Sequence, residues 1–173
     1  QPRTHLLRGG MALALSEHVD VIQRGPAVWN EWRDARTEER PDLLGAKLRG
    51  VDLREARLAG ADMVGADMRG SHLSRADLRG AHLADADMRG AKLRDANLEG
   101  ATLTGAQLRG ADMRGCKAAD ADVTAADLRG ADLREADFTR VEVMDAVFTD
   151  AKLRGSVGLN PKKTKEKKKK GEI

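Results

Sequence analysis

From residue 41 onward the chain repeats one short pattern of apolar and polar positions. In Ala66-Asp67-Met68-Arg69-Gly70 the apolar and polar residues alternate, so Ala66 and Met68 face one way and Asp67 and Arg69 the other. A continuous strand would turn the next unit's alanine outward. The fifth residue resets the phase instead, and glycine suits the sharp corner this needs. Unit centres fall at every fifth position from Leu43 to Leu153 without insertion, 23 in all. Fourteen centres are Leu and four are Met (Met63, Met68, Met88 and Met113). The position two before the centre is Ala in 18 units, and the position two after is Gly in 13. Each unit therefore predicts a short side and a corner, and the chain coils into an all-β solenoid. Small and large inward side chains fill a narrow interior, and stacked coils pair their backbones.

A five-residue period does not by itself distinguish three sides from four. The arginines that follow a centre favour four. Ten of them have a position 20 residues on within the array, and seven of those positions are Arg; at 15 residues only four are. Arg49, Arg69, Arg89, Arg109 and Arg129 form one unbroken series.

Both ends of a coil stack need covering. Ser16 suits the N-cap of a helix over 17–24, and Gly25-Pro26 reads as a stop followed by a second helix. That helix places Val28, Trp29 and Trp32 on one side, as an apolar lid for the first coil. The predicted organisation is a flexible N-terminus (1–15), a helical cap (16–40), the array (41–156) and a disordered lysine-rich tail (157–173). At the far end the outward positions Met144 and Val147 turn apolar, and Val141, Val143 and Phe148 add bulk. Two expectations stand there: a capping loop from 155 to 160, or an end-to-end homodimer through these five residues.

Aromatic residues make up 2% of the chain and charged residues 34%, a balance that suggests disorder until the strict period is taken into account. The formal charge of +3 hides its distribution. The array carries 18 basic and 20 acidic residues, and the segment from 157 carries seven and two. Sorted into four faces, one face has no Lys or Arg at all. Its acids are Asp42, Asp62, Asp85, Asp122, Glu142 and Asp145, a formal −6, which makes it the candidate partner-binding face. On the other faces Arg follows Asp by two residues, as in Asp67 and Arg69, predicting self-neutralising surface pairs.

Catalytic, cofactor and metal chemistry is not indicated. His72 and His82 point outward on opposite faces, and no His/Cys cluster has metal-ligand spacing. Cys116 fills an inward slot usually held by Ala. One cysteine fits a reducing cytoplasm, and no apolar run is long enough for a membrane span.

The pattern from Ala46-Lys-Leu-Arg-Gly50 to Ala151-Lys-Leu-Arg-Gly155 resembles the pentapeptide-repeat family. The stretch Val28-Trp-Asn-Glu-Trp-Arg33 leading into Arg40-Pro-Asp-Leu43 resembles a leader of that family. The resemblance implies a right-handed quadrilateral β-helix. It also points to bacterial quinolone-resistance members, whose β-helix is similar to duplex DNA in shape and charge and protects gyrase from poisons. What it implies here is binding to DNA gyrase or topoisomerase IV through the acidic face, with no direct duplex DNA binding by the β-helix and no membrane partner. A rigid protein-interaction scaffold without a topoisomerase role stands as the other reading.

Overall fold

The computed structural model describes residues 16–159. Helix α1 spans Ser16–Gln23 and helix α2 spans Pro26–Ala35. Gly25 separates them with a φ of 102°, a value that favours glycine, and Pro26 opens α2 where no amide donor is needed.

The array follows as six coils, 41–60, 61–80, 81–100, 101–120, 121–140 and 141–159. Every backbone bridge is parallel and joins residues twenty apart, from Asp42 with Asp62 to Asp137 with Val157. Twenty residues per coil means four sides. None of the sides is an extended strand. Each contributes a single bridging residue, the one before the centre, because the two residues after the centre are already in the turn. The ladder is nonetheless saturated between coils. Leu48, for example, donates its N–H to the Asp67 carbonyl at 2.8 Å, and Asp67 donates to Ala46 at 2.9 Å.

All 23 corners have positive φ, the ten without glycine included, such as Glu55 at 60° and Ala125 at 57°. A type of backbone that costs an L-residue about 1 kcal/mol or more is thus imposed by the coil at every corner. The interior holds one column of Ala and one of Leu or Met per side. These are almost all fully buried, with Cys116 in an alanine slot and Phe138 in a centre. Burial first, and then the charges of Asp137 and Asp95, push the Cys116 thiol up to about 12, so it behaves as a small apolar side chain.

The two ends differ. At the N-terminal end the helices meet the backbone groups of the first coil that point away from the second. Trp29 is buried and stacks on Trp32 with ring centroids 5.0 Å apart. The side chains of Gln23, Asn30 and Trp29 donate to the carbonyls of Lys47, Glu55 and Arg57. His18 Nδ1 accepts the Asp42 N–H at 2.9 Å, and Asn30 Oδ1 accepts the Arg57 N–H at 2.8 Å. Because Nδ1 accepts, the His18 proton sits on Nε2, which meets the Glu39 carboxylate at 2.9 Å.

At the C-terminal end the amides of Val143, Phe148 and Leu153 have no carbonyl opposite them among the described residues. The chain leaves by a local device. Gly158 has a φ of +79°, and a Cβ there would strike the Phe138 carbonyl, so the backbone itself turns in and Leu159 is buried on the last coil. The expectations for residues 1–15 and for the tail beyond 159 fall outside the described residues.

Candidate partner-binding faces

The residue before each centre points outward, yet it is not a bystander. When it is Asp, its Oδ1 accepts the N–H of the residue two positions on, the first residue of the turn. Asp52 does this for Arg54 at 3.1 Å, Asp122 for Thr124 at 2.8 Å and Asp137 for Thr139 at 2.9 Å. Asn97 makes the same bond to Glu99 at 3.0 Å. An acceptor on a short side chain fixes the corner, which is why Asp and Asn recur at this position.

Where Arg stands two residues after Asp, the guanidinium also closes on that carboxylate. Each of the seven Asp-x-Arg units makes this two-bonded fork, as at Asp67 and Arg69 with distances of 2.8 and 2.6 Å. The arginine hydrogen bond holds the carboxyls of Asp52, Asp67 and Asp132 down to about 2. These pairs lie on the second, third and fourth faces, counting from the face that begins at residue 41. Their carboxylates are already engaged.

The first face is different. Its outward column after the centre runs Leu44, Val64, Ala84, Thr104, Thr124 and Met144, with no arginine available for a fork. Asp62 has Arg40 at 3.6 Å, a residue from outside the array. Asp122 receives the Thr104 hydroxyl at 2.9 Å in addition to the Thr124 amide, and its pKa is lowered first by the Thr124 side chain, then by the Thr124 amide and the Thr104 hydroxyl. Asp85, Glu142 and Asp145 are exposed, and Asp42 lies half-buried beside α1. The six acids predicted from sequence thus share one face, in columns twenty residues apart. Three of them (Asp42, Asp62 and Asp122) also carry the turn-fixing bond, a role the charge count does not reveal.

Of the residues named for the far end, Met144 is 70% exposed and Val147 41%, while Phe148 is buried at 6%. Val141 and Val143 are half-buried against the core. His18, which no repeat or motif marks, joins α1 to the first coil by accepting the Asp42 N–H. Among the described residues no group of His, Cys, Asp and Glu is arranged to hold a metal ion, and no helix is long and apolar enough to cross a membrane.

The model of the family described as "Pentapeptide repeats" matches the chain in eight copies over residues 42–75, 81–117 and 119–155. Among solved structures the chain is similar to HetL, a pentapeptide repeat protein involved in heterocyst differentiation regulation from the cyanobacterium Nostoc sp. strain PCC 7120. The match has 34% identity over 66% of this chain and 60% of that one, with a TM-score of 0.47. A pentapeptide repeat protein of the Arabidopsis thaliana thylakoid lumen is 32% identical over 67% of this chain and 73% of its own, with a TM-score of 0.46. QnrB1, a plasmid-mediated fluoroquinolone resistance protein, is 24% identical over 62% of this chain and 60% of its own, with a TM-score of 0.38. The chain thus spans about 60% of the length of HetL and of this QnrB1 form. No curated protein matches it.

Proposed function

The chain belongs to the pentapeptide-repeat family, whose repeats wind into a right-handed four-sided β-helix, and on that premise we propose that it is a binding rod. Its first face is offered to a basic, DNA-binding groove, that of a type II topoisomerase such as DNA gyrase or topoisomerase IV in the cytoplasm. Proteins built from these repeats are generally structural or interaction scaffolds rather than enzymes. In this reading the helical pair serves as the N-terminal cap, and the opposite end, with Met144 and Val147 outward, joins a second copy end to end.

One observation carries the reading. On the other three faces seven aspartates are matched by an arginine of the same unit, whereas on the first face no unit supplies an arginine. A long, flat, one-signed surface steers a basic partner and confers salt-dependent association. The scaffold reading is favoured by a different quantity. Six formal charges over six coils amount to one per about 5 Å of axis, given the strand spacing. Duplex DNA carries one per about 1.7 Å.

A gyrase supercoiling assay, with and without a fluoroquinolone, tests the choice. The informative variant is Asp62→Asn, Asp122→Asn and Glu142→Gln together. Asparagine keeps the turn-fixing acceptor, as Asn97 does, while the face falls from −6 to −3. Binding and protection are expected to weaken at least tenfold with the melting temperature unchanged. Reversing Arg89, Arg109 and Arg129 on the adjacent face is expected to matter much less. Failure of the wild-type protein to bind either enzyme at low salt leaves the scaffold reading, with its partner to be found by pull-down.

A further inference from the structure

One buried titratable side chain lies outside the repeat. His18 of α1 is 1% exposed. Its Nδ1 accepts the Asp42 N–H of the first coil at 2.9 Å, and its Nε2–H meets the Glu39 carboxylate at 2.9 Å. The ring packs edge-on against Trp32, with centroids 4.7 Å apart. α1 also sends the buried Ile22 into the core, and a second, exposed bond runs from Gln23 Nε2 to the Lys47 carbonyl at 3.2 Å.

Both ring nitrogens of His18 are thus committed, one as acceptor and one as donor, which only a neutral imidazole can satisfy. A second proton can enter only at Nδ1. It sets two donors, Nδ1–H and the Asp42 N–H, against each other at the point of attachment. Histidine is the side chain that gains a proton between about pH 8 and 5. The charged groups around the ring pull in opposite directions. Glu39 and the Asp42 carboxylate, which accepts the Leu44 N–H at 3.3 Å, favour the imidazolium. Arg33 and Arg36 oppose it. Arg33 donates to the Glu39 carbonyl, and Arg36 lies over the Trp32 ring and pairs with Glu39 and with Glu17 of α1, both at 3.6 Å. The Glu39 side chain is 44% exposed and shared with Arg36, so water and the arginine screen its attraction. The ring is buried, and the lost acceptor adds to the cost of charging it. A proton therefore acts against the attachment.

We propose that His18 is an acid-sensitive latch: a proton taken up at Nδ1 breaks its bond to the Asp42 N–H and lets α1 leave the first coil, while the coils stay wound. The two regions respond in different pH ranges. The carboxyls of Asp52, Asp67 and Asp132 in the arginine forks are held near about 2, and the apolar interior does not titrate. Between about pH 7 and 5 the end covering responds before the coils do. Release turns the Asp42 amide and the Lys47 carbonyl toward solvent at one edge of the solenoid. An open edge of this kind is a template for a further strand. The rod is thus closed at this end at neutral pH and open to an extended segment in mild acid. The inference concerns the end of the rod and holds whichever partner its faces serve.

The test follows amide hydrogen exchange in the full ¹⁵N-labelled chain between about pH 7.5 and 5, with the intrinsic rate corrected at each pH. Protection of the Asp42 amide is expected to fall about tenfold or more over this span. The Asp67 and Asp87 amides, bonded to the Ala46 and Ala66 carbonyls of the preceding coil, are expected to stay within about twofold. The imidazole ¹⁵N signal of His18 should pass from a bare to a protonated Nδ1 with the same midpoint. His18→Asn, whose side-chain oxygen takes the place of Nδ1 and does not titrate, is expected to flatten the Asp42 profile. Glu39→Gln is expected to move the midpoint to lower pH. Asp42 protection that is independent of pH in the wild-type protein overturns the proposal without any variant. So does an equal loss at Asp42, Asp67 and Asp87, which reports opening of the whole rod, or an unchanged pH profile in His18→Asn. A negative gyrase assay leaves this experiment unaffected, and a flat exchange profile leaves the gyrase reading standing.

Discussion

The indole Nε1–H of Trp29 donates to the carbonyl oxygen of Arg57 at 2.9 Å, linking α2 to a residue 28 positions further along the chain. Without that bond a carbonyl of the first coil would point into the covering helices unmatched. Trp29→Phe keeps the ring stack and removes the donor. We expect a loss of about 1–2 kcal/mol in urea denaturation, with the first-coil amides exchanging faster than those of the third. A loss confined to later coils would show that the helices do not secure this end.

Every corner is left-handed, so the residue there decides a conformational cost rather than a contact. Ala125→Gly is expected to stabilise the rod by about 1 kcal/mol, and Gly90→Ala to destabilise it by about the same amount, because a Cβ at Gly90 meets nothing within 4 Å. Paired melting curves check this. Opposite signs at the two positions support the argument, and matching signs refute it.

Leu93 is fully buried at a centre. Leu93→Asp removes burial worth about 1.5–3 kcal/mol and places a charge among Leu and Met side chains. The variant is expected to lose its cooperative melt. An unchanged melting temperature would mean that the centre column does not face inward.

Acid should unfold this protein through its arginine forks. The carboxyls of Asp52, Asp67 and Asp132 titrate near about 2 in the fold, below the usual value of about 3.9 for an unfolded chain. A depressed folded value contributes stability that is complete above about pH 4 and disappears as pH falls toward 2. Replacing Arg54, Arg69 and Arg134 with Gln should therefore flatten the fall in melting temperature across that window and lower the plateau above it. Parallel curves for wild type and variant would reject the forks as the cause.

Val147 is outward and apolar on the last coil, beside amides that have no opposite carbonyl among the described residues. If a second copy covers this end, wild-type protein should sediment as a dimer at high micromolar concentration and Val147→Lys as a monomer. A monomeric wild type ends the idea.

Much of this was legible because the repeat states it many times. Leu48, Met68 and Met88 share a column, and the spacing of their neighbouring arginines already indicates twenty residues per coil. The Asp-x-Arg forks follow from the same count. His18, Gln23 and Asn30 were not legible, since each makes a single long-range bond to one backbone group, and no period or motif marks such a partner. Gly158 was hidden for a related reason. It occupies a position where the pattern expects a large centre, and only the approach of the Phe138 backbone explains its glycine. The turn-fixing role of Asp42, Asp62 and Asp122 was obscured by their charge, which reads as a surface property until the corner geometry is known.

The strict twenty-residue register has an evolutionary corollary. Because every bridge joins a residue to the one twenty positions on, the array can change length without changing its faces only in whole coils. Removing 81–100 would shorten the rod and leave every later side chain on its own face. Removing a single unit of five would preserve the fold equally well in terms of inward and outward residues, yet rotate all that follows by a quarter turn. The first face would then continue into arginines. Slippage of one unit is thus nearly silent for folding and decisive for recognition, so selection on a rod of this kind acts on its phase before it acts on its core.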